Sequence, residues 1–451
     1  MESAAAIVTK IPYLNAVAVR YAASPLARRM AHGAFWSLAG AVLSRALSLV
    51  SSILVARMLG KEGFGQLGMI QSTVGMFGVF AGFGLGLTAT KYVAELRVND
   101  PEKAGRVITL SLIFAAGSGA LMTFLLLLFA PLVASRALAA PSIGEYLRIA
   151  SPMLFFGAFA GAQTGALSGF EAFRTIARVN LVAGLLTFPC IVGGVYFAGV
   201  NGAVWGLVAA SAMGGVLNHR ALSLETKRAG ICFPARNPFS EQEILWRFSL
   251  PAVLASLLVT PVNWAAAAIL VNQPGGYAEM GIFNAANQWR GAILFLPGNL
   301  SAIVLPLLSN LQGANDKARY NKVLRYNILL NVGTASLAAL GISLLSTKIM
   351  TSYGSGFASG KWTLVVLTAS AALSTGASVI GQAIASKGWM WWGLTLNFMW
   401  GSVLIFSCLL FADKGSLGLA TAHVIAYSVH LVMVLLFTII VFWKKEEWRE
   451  S

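Results

Sequence analysis

Charge is scarce in this sequence, and negative charge scarcer still. Only 11% of the 451 residues are charged, and 16 acidic residues stand against 32 basic ones. A composition this poor in charge excludes an ordinary water-soluble domain of such length. Cysteine is nearly absent: Cys190, Cys232 and Cys408 are too few and too scattered for a disulfide framework or a zinc cluster. All three read as inert, and no metal, cofactor or catalytic residue is expected. The first thirty residues carry Glu2, Lys10, Arg20, Arg28 and Arg29 and lack a continuous apolar core. A cleaved signal peptide is not expected, and residues 1–32 read as a cytoplasmic N-terminal segment.

What is abundant is apolar. Hydrophobic residues make up 57% of the chain and mean hydropathy is +0.75. A helix needs about 20 apolar residues to cross the hydrocarbon core of a bilayer. That ruler places about twelve spans along the chain. They fall near 33–57, 65–92, 105–130, 148–170, 178–198 and 202–219, then 247–271, 281–308, 324–347, 362–386, 390–412 and 416–443. The expected fold is an all-α integral membrane protein.

The chain also repeats itself. The stretch from Gly281 to Lys322 matches Gly65 to Arg106 without a gap at an offset of 216. Gln71 falls on Asn287, Asp100 on Asp316, Lys103 on Arg319 and Arg106 on Lys322. Asn180 and Gly184 match Asn397 and Gly401 at an offset of 217. Two copies that start on the same side are parallel repeats about an axis along the membrane normal. The prediction is two six-helix bundles, 33–219 and 247–443, joined by a loop at 220–246 and followed by a tail at 444–451. Two bundles about such an axis enclose a cavity that can open to either face, the geometry of alternating access.

Basic residues orient the chain. The net charge of +16 is spread over short loops between apolar runs, which points to membrane orientation and not to nucleic acid. With the N-terminus inside, 23 of the 32 Lys and Arg lie on the cytoplasmic side and 7 outside. Both termini and the 220–246 loop are thus expected in the cytoplasm.

The remaining two basic residues, Arg45 and Arg290, lie within spans, where an ionised group must face water or a partner. Arg45 shares a helical face with Ser48 and Ser52, and Ser37 and Ser44 flank it. Asn284, Asn287 and Gln288 lie on one side of the eighth span, and Arg290 widens that polar face. Gln71, with Ser72 and Thr73, sits at comparable depth in the second span. No Asp or Glu lies mid-span, so the cavity has a positive potential and selects an anionic cargo. The forked guanidinium donors suit phosphate or pyrophosphate. Arg45, Arg290, Asn284, Asn287, Gln288, Gln71 and Ser48 are the expected substrate-binding residues. His423 and His430 lie seven residues apart on one face of the last span. His423 is the candidate proton carrier, with hydrogen-bonded packing as its alternative role.

Two stretches carry a family resemblance. Residues 51–65, SSILVARMLGKEGFG, and Gly82-Phe-Gly-Leu-Gly-Leu87 followed by Lys91-Tyr-Val-Ala-Glu95, resemble the opening of Wzx-type polysaccharide-unit flippases of the MOP superfamily. The likeness covers nearly the whole chain from about residue 30. It implies a bacterial inner-membrane flippase, acting for surface polysaccharide (O-antigen or exopolysaccharide) biosynthesis. The implied cargo is an oligosaccharide on undecaprenyl pyrophosphate. The implied partners are that lipid-linked oligosaccharide, membrane lipids, a polysaccharide polymerase and chain-length machinery. The alternatives are a multidrug or cation antiporter of the same superfamily, or a polytopic polymerase or glycosyltransferase. Multidrug exporters of the superfamily typically use membrane-embedded carboxylates, which this chain lacks. An enzyme needs convergent acid and base groups on a sizeable external loop, and the external loops here are short.

Overall fold

The computed structural model describes residues 25–244, 258–313, 316–386 and 390–443. Residues 1–24 and 444–451, with most of the expected N-terminal segment and the tail, lie outside the described residues. So does 245–257, which holds the expected start of the seventh span. Among the described residues there is helix and no strand. Seven helical stretches are long and apolar enough to cross a membrane by length and composition. The protein is an all-α, multi-span membrane protein.

The first half holds α1 (Pro25–Gly82), α2 (Leu85–Leu96), α3 (Pro101–Leu132), α4 (Ile143–Ala150), α5 (Pro152–Gly169) and α6 (Phe173–Arg228). The second half holds α7 (Val259–Val271), α8 (Gly276–Gly313), α9 (Lys317–Leu344), α10 (Ser346–Ser352), α11 (Lys361–Ser386), α12 (Met390–Leu410) and α13 (Gly415–Phe437).

Two expected loops are single bends. Spans one and two are joined in α1 at Gly60, whose φ of 69° is a left-handed value that a residue without Cβ adopts at little cost. Spans five and six are joined in α6 at Ala198 and Gly199. The second span breaks instead at Phe83 and Gly84, where Ser118 of α3 donates to the freed Ala81 carbonyl at 2.6 Å. The sixth span also runs on to Arg228, through residues expected in the 220–246 loop. Ala221, Leu222 and Thr226 are buried there at helical spacing, so packing extends the helix past the apolar run.

The sequence repeat is visible in the backbone. Asp100 caps α3 by accepting from the Lys103 N–H at 3.0 Å, and Asp316 caps α9 by accepting from the Arg319 N–H at 3.0 Å. Four residues matched by the offset thus make one bond twice. The repeats also meet symmetrically. A side chain on Gly65 would strike the Tyr277 carbonyl, and one on Gly281 would strike the Lys61 carbonyl. Residue 65 corresponds to 281 and residue 61 to 277, so the crossing of α1 and α8 is related to itself by a two-fold.

The same end of the molecule carries further contacts between halves. Asn272 donates to the Ala137 carbonyl at 2.7 Å, and Tyr277 donates to the Leu138 carbonyl at 2.7 Å. Arg57 donates to the Ser352 carbonyl at 2.6 Å, and the Phe64 ring packs against Tyr353 and Phe357. The outer surface is apolar over long stretches, with Phe124, Leu128, Leu337, Leu340, Phe398 and Phe406 exposed. In water such a surface would aggregate, and against lipid tails it is at home.

Candidate functional site

Above this closed end, a cavity of mixed polar and apolar lining lies between the halves in two lobes. The larger is about 810 Å³ and is walled by α7, α8, α11, α12 and α13 with a strip of α1. The smaller is about 590 Å³ and is walled by both limbs of α1, the first limb of α6 and α8. Phe64, Leu67, Gln71 and Gln288 line both lobes.

The expected residues all reach this cavity, in a division that the sequence does not show. Arg45 and Ser48 line the smaller lobe, together with Ser44, Ser51 and Ser52. Arg290, Asn284, Asn287 and His423 line the larger lobe. Gln71 and Gln288 stand between them. The two arginines were expected in one cavity, and each has a lobe of its own. The reason lies in α8, whose Gln288 carbonyl accepts from Arg45 Nη2 at 2.6 Å while Arg290 turns to the other side.

Each guanidinium is positioned by its neighbours. Arg45 is held by that carbonyl, and its Nε has no hydrogen-bond partner among the described residues. Tyr353 interacts with Arg45, and burial pushes its phenol up to about 12, so it remains neutral and supplies no counter-charge. Arg290 donates from Nε to Ser370 Oγ at 3.1 Å and lies over the Tyr427 ring, 5.2 Å from its centroid. That leaves the outer nitrogens of Arg290 for a ligand. Among the described residues, no Asp or Glu lines either lobe. The cavity is therefore cationic and rich in neutral hydrogen-bonding groups.

Asn284 owes its position to an absence. Gly68, its counterpart in the first repeat, leaves a notch, and a Cβ there would coincide with the Asn284 amide. His423 is buried, with Nδ1 2.9 Å from the Leu419 carbonyl and Nε2 3.2 Å from Asn263 Oδ1. A carbonyl only accepts, so Nδ1 carries a proton. His430 lines the same lobe, and its Nδ1 is without a partner among the described residues.

Sequence reasoning missed Asn263, Ser374, Thr375, Ser378 and Tyr427 as lining residues. It also passed over Asn180 and Asn397 as site residues, although the repeat pairs them. Asn180 lines the smaller lobe and Asn397 the larger, so the paired asparagines were a usable signal. Asn263 is a lone amide in the apolar run of α7, a weaker one. Among the described residues, no group of three His, Cys, Asp or Glu could hold a metal ion.

Comparison with known proteins adds sequence and fold relationships. A model of the family described as polysaccharide biosynthesis protein matches residues 30–312. The chain is 25% identical over 393 residues to the EPS I polysaccharide export inner membrane protein EpsE of Ralstonia nicotianae, covering 85% of this chain and 88% of that one. It is 25% identical over 412 residues to the lipid III flippase of Escherichia coli, covering 89% and 96%. Among solved structures it resembles an inward-facing conformation of a multidrug resistance MATE family transporter of the MOP superfamily. The TM-score is 0.71 over 90% of this chain and 97% of that one, at 17% identity, which is a likeness of fold.

Proposed function

This chain belongs to the polysaccharide biosynthesis protein family, and from that premise we propose that it is a flippase for lipid-linked oligosaccharides. Its cargo is an oligosaccharide unit on undecaprenyl pyrophosphate, carried across the bacterial inner membrane for surface polysaccharide biosynthesis. Two relatives named for polysaccharide export and lipid III flipping, each aligned over most of its length, support this reading. The observation that carries it is the cavity: among the described residues its lining holds two cations, no carboxylate, and several amides and hydroxyls. A pyrophosphate needs the first, and sugar hydroxyls need the last.

The closed end of the molecule is then the external face. Reporter fusions after Lys227 and after Gly275 test the orientation, which requires opposite sides. Opening alternates by rocking one half against the other about the Gly65 and Gly281 crossing. Arg45 holds the pyrophosphate, while Gln71, Ser48, Asn284, Asn287 and Gln288 bond the cargo's polar groups. His423 carries a proton through the cycle, supported by an oxygen placed at each ring nitrogen. Polymerase and chain-length machinery receive the product. Among the described residues, these lobes hold neither the carboxylate that cation antiporters of the superfamily typically use nor a carboxylate pair for glycosyl transfer.

The test is leaflet exposure. Purified protein in vesicles containing a polyprenyl-pyrophosphate-linked oligosaccharide is expected to bring the sugar within reach of an impermeant glycosidase. New glycosidic linkages without exposure would identify an enzyme instead. In the same vesicles the wild-type rate varies with pH and the His423→Gln rate does not; an unchanged pH profile would leave His423 a packing residue.

A further inference from the structure

We infer that the larger lobe is a subsite for an acidic sugar, with Arg290 as its selecting residue, so that the transported glycan itself carries a negative group. The inference rests on the proposed flippase function and deepens it. Its basis is the separation of the two cations. Arg45 lies in the smaller lobe and Arg290 in the larger, with Phe64, Leu67, Gln71 and Gln288 as the shared wall. A pyrophosphate held by Arg45 in the smaller lobe leaves the cation of the larger lobe without an anion. A cation in the second lobe then calls for a second anion, carried farther along the same molecule.

Duplication does not explain the second cation. Position 261, the counterpart of Arg45 at the offset of 216, is proline, and position 74, the counterpart of Arg290, is valine. Each charge stands once, on a different helix. Among the described residues neither is neutralised by a lining carboxylate, and an uncompensated cation at membrane depth is costly. Arg290 is also built to receive something. Ser370 Oγ accepts from its Nε–H and Tyr427 covers one face, which fixes the guanidinium plane while its outer nitrogens remain for a ligand.

The assignment of lobes follows from size and lining. The larger lobe has the volume for sugar rings and the amides of Asn263, Asn284, Asn287 and Asn397, which both donate and accept as hydroxyl and acetamido groups require. Asn284 lines this lobe, and its buried Nδ2, set in the Gly68 notch, has no hydrogen-bond partner among the described residues. The smaller lobe offers serine hydroxyls around Arg45, which fit a compact anion. A uronic acid carboxylate is the simplest group that places a charge on a sugar ring within reach of a forked donor.

The experiment compares two synthetic probes on the same polyprenyl pyrophosphate, one ending in a neutral hexose chain and one carrying a uronic acid. Binding to purified wild-type protein in nanodiscs is expected to favour the acidic probe by about ten- to a hundred-fold, as a charge-assisted contact implies. Arg290→Gln collapses that preference, Arg290→Lys retains it in reduced form, and Arg45→Gln weakens both probes by a similar factor while keeping the preference. Thermal unfolding of each variant accompanies the measurement, and the Lys variant carries the test if the Gln variant does not fold. Equal wild-type affinity for the two probes overturns the inference alone. So does loss of the preference in Arg45→Gln with its survival in Arg290→Gln. Wild-type protein that binds neither probe overturns the flippase reading, and this inference with it.

Discussion

Gly68 and Asn284 are the same position in two copies of one repeat, and they have become complementary. A methyl at 68 would occupy the place of the Asn284 amide, so Gly68→Ala must expel that amide from its notch and change the wall of the larger lobe. Overpacking of this kind costs about 1–3 kcal/mol, and here the amide is the group that yields. Flipping by Gly68→Ala is expected to fall to the level of Asn284→Ala. The double variant should match Asn284→Ala alone, because truncation removes the clash. Additive losses in the double variant would show that Gly68 acts in another way. At this scale much was legible. Asn284, Asn287, Gln288 and Arg290 stood out as polar residues at helical spacing in an apolar run, and all four line the cavity. Their partition was not legible, because which side of α8 each group faces depends on what packs against it. Tyr427 escaped for a related reason: in sequence it is one aromatic among many in the last span, and only the Arg290 contact distinguishes it.

Among the elements, the repeat is most faithful at helix starts and least faithful at helix joints. The paired caps Asp100 and Asp316 each satisfy a backbone N–H that the helix itself leaves free. Asp100→Ala and Asp316→Ala are each expected to cost about 0.5–2 kcal/mol, read as similar drops in unfolding temperature of the detergent-purified protein. A drop in only one of them would mean that the two helix starts are not held alike. The joints departed from expectation because a hydrophobic ruler measures only apolar length. It asks for a loop wherever charge interrupts a run, as at Lys61 and Glu62, yet one residue of positive φ at Gly60 turns the chain while the helix continues on both sides. It also ends a span at the first charge, whereas α6 passes Arg220 because Ala221 and Leu222 still find a buried surface.

For the whole molecule, two halves meet at a glycine crossing, close at one end and leave between them a cavity that no carboxylate lines among the described residues. Composition, the repeat and the placement of basic residues were enough to anticipate an all-helical membrane protein with a cationic interior. The two-lobed shape was not accessible, since it arises from how one half sits against the other. The cavity charge is what the proposed transport depends on most. Its most direct test is surface polysaccharide in a flippase-null strain that expresses the Arg45→Ala, Arg290→Ala double variant, with membrane abundance measured alongside. The account predicts a protein inserted at wild-type level that restores almost no polysaccharide. Full restoration by the double variant would contradict it.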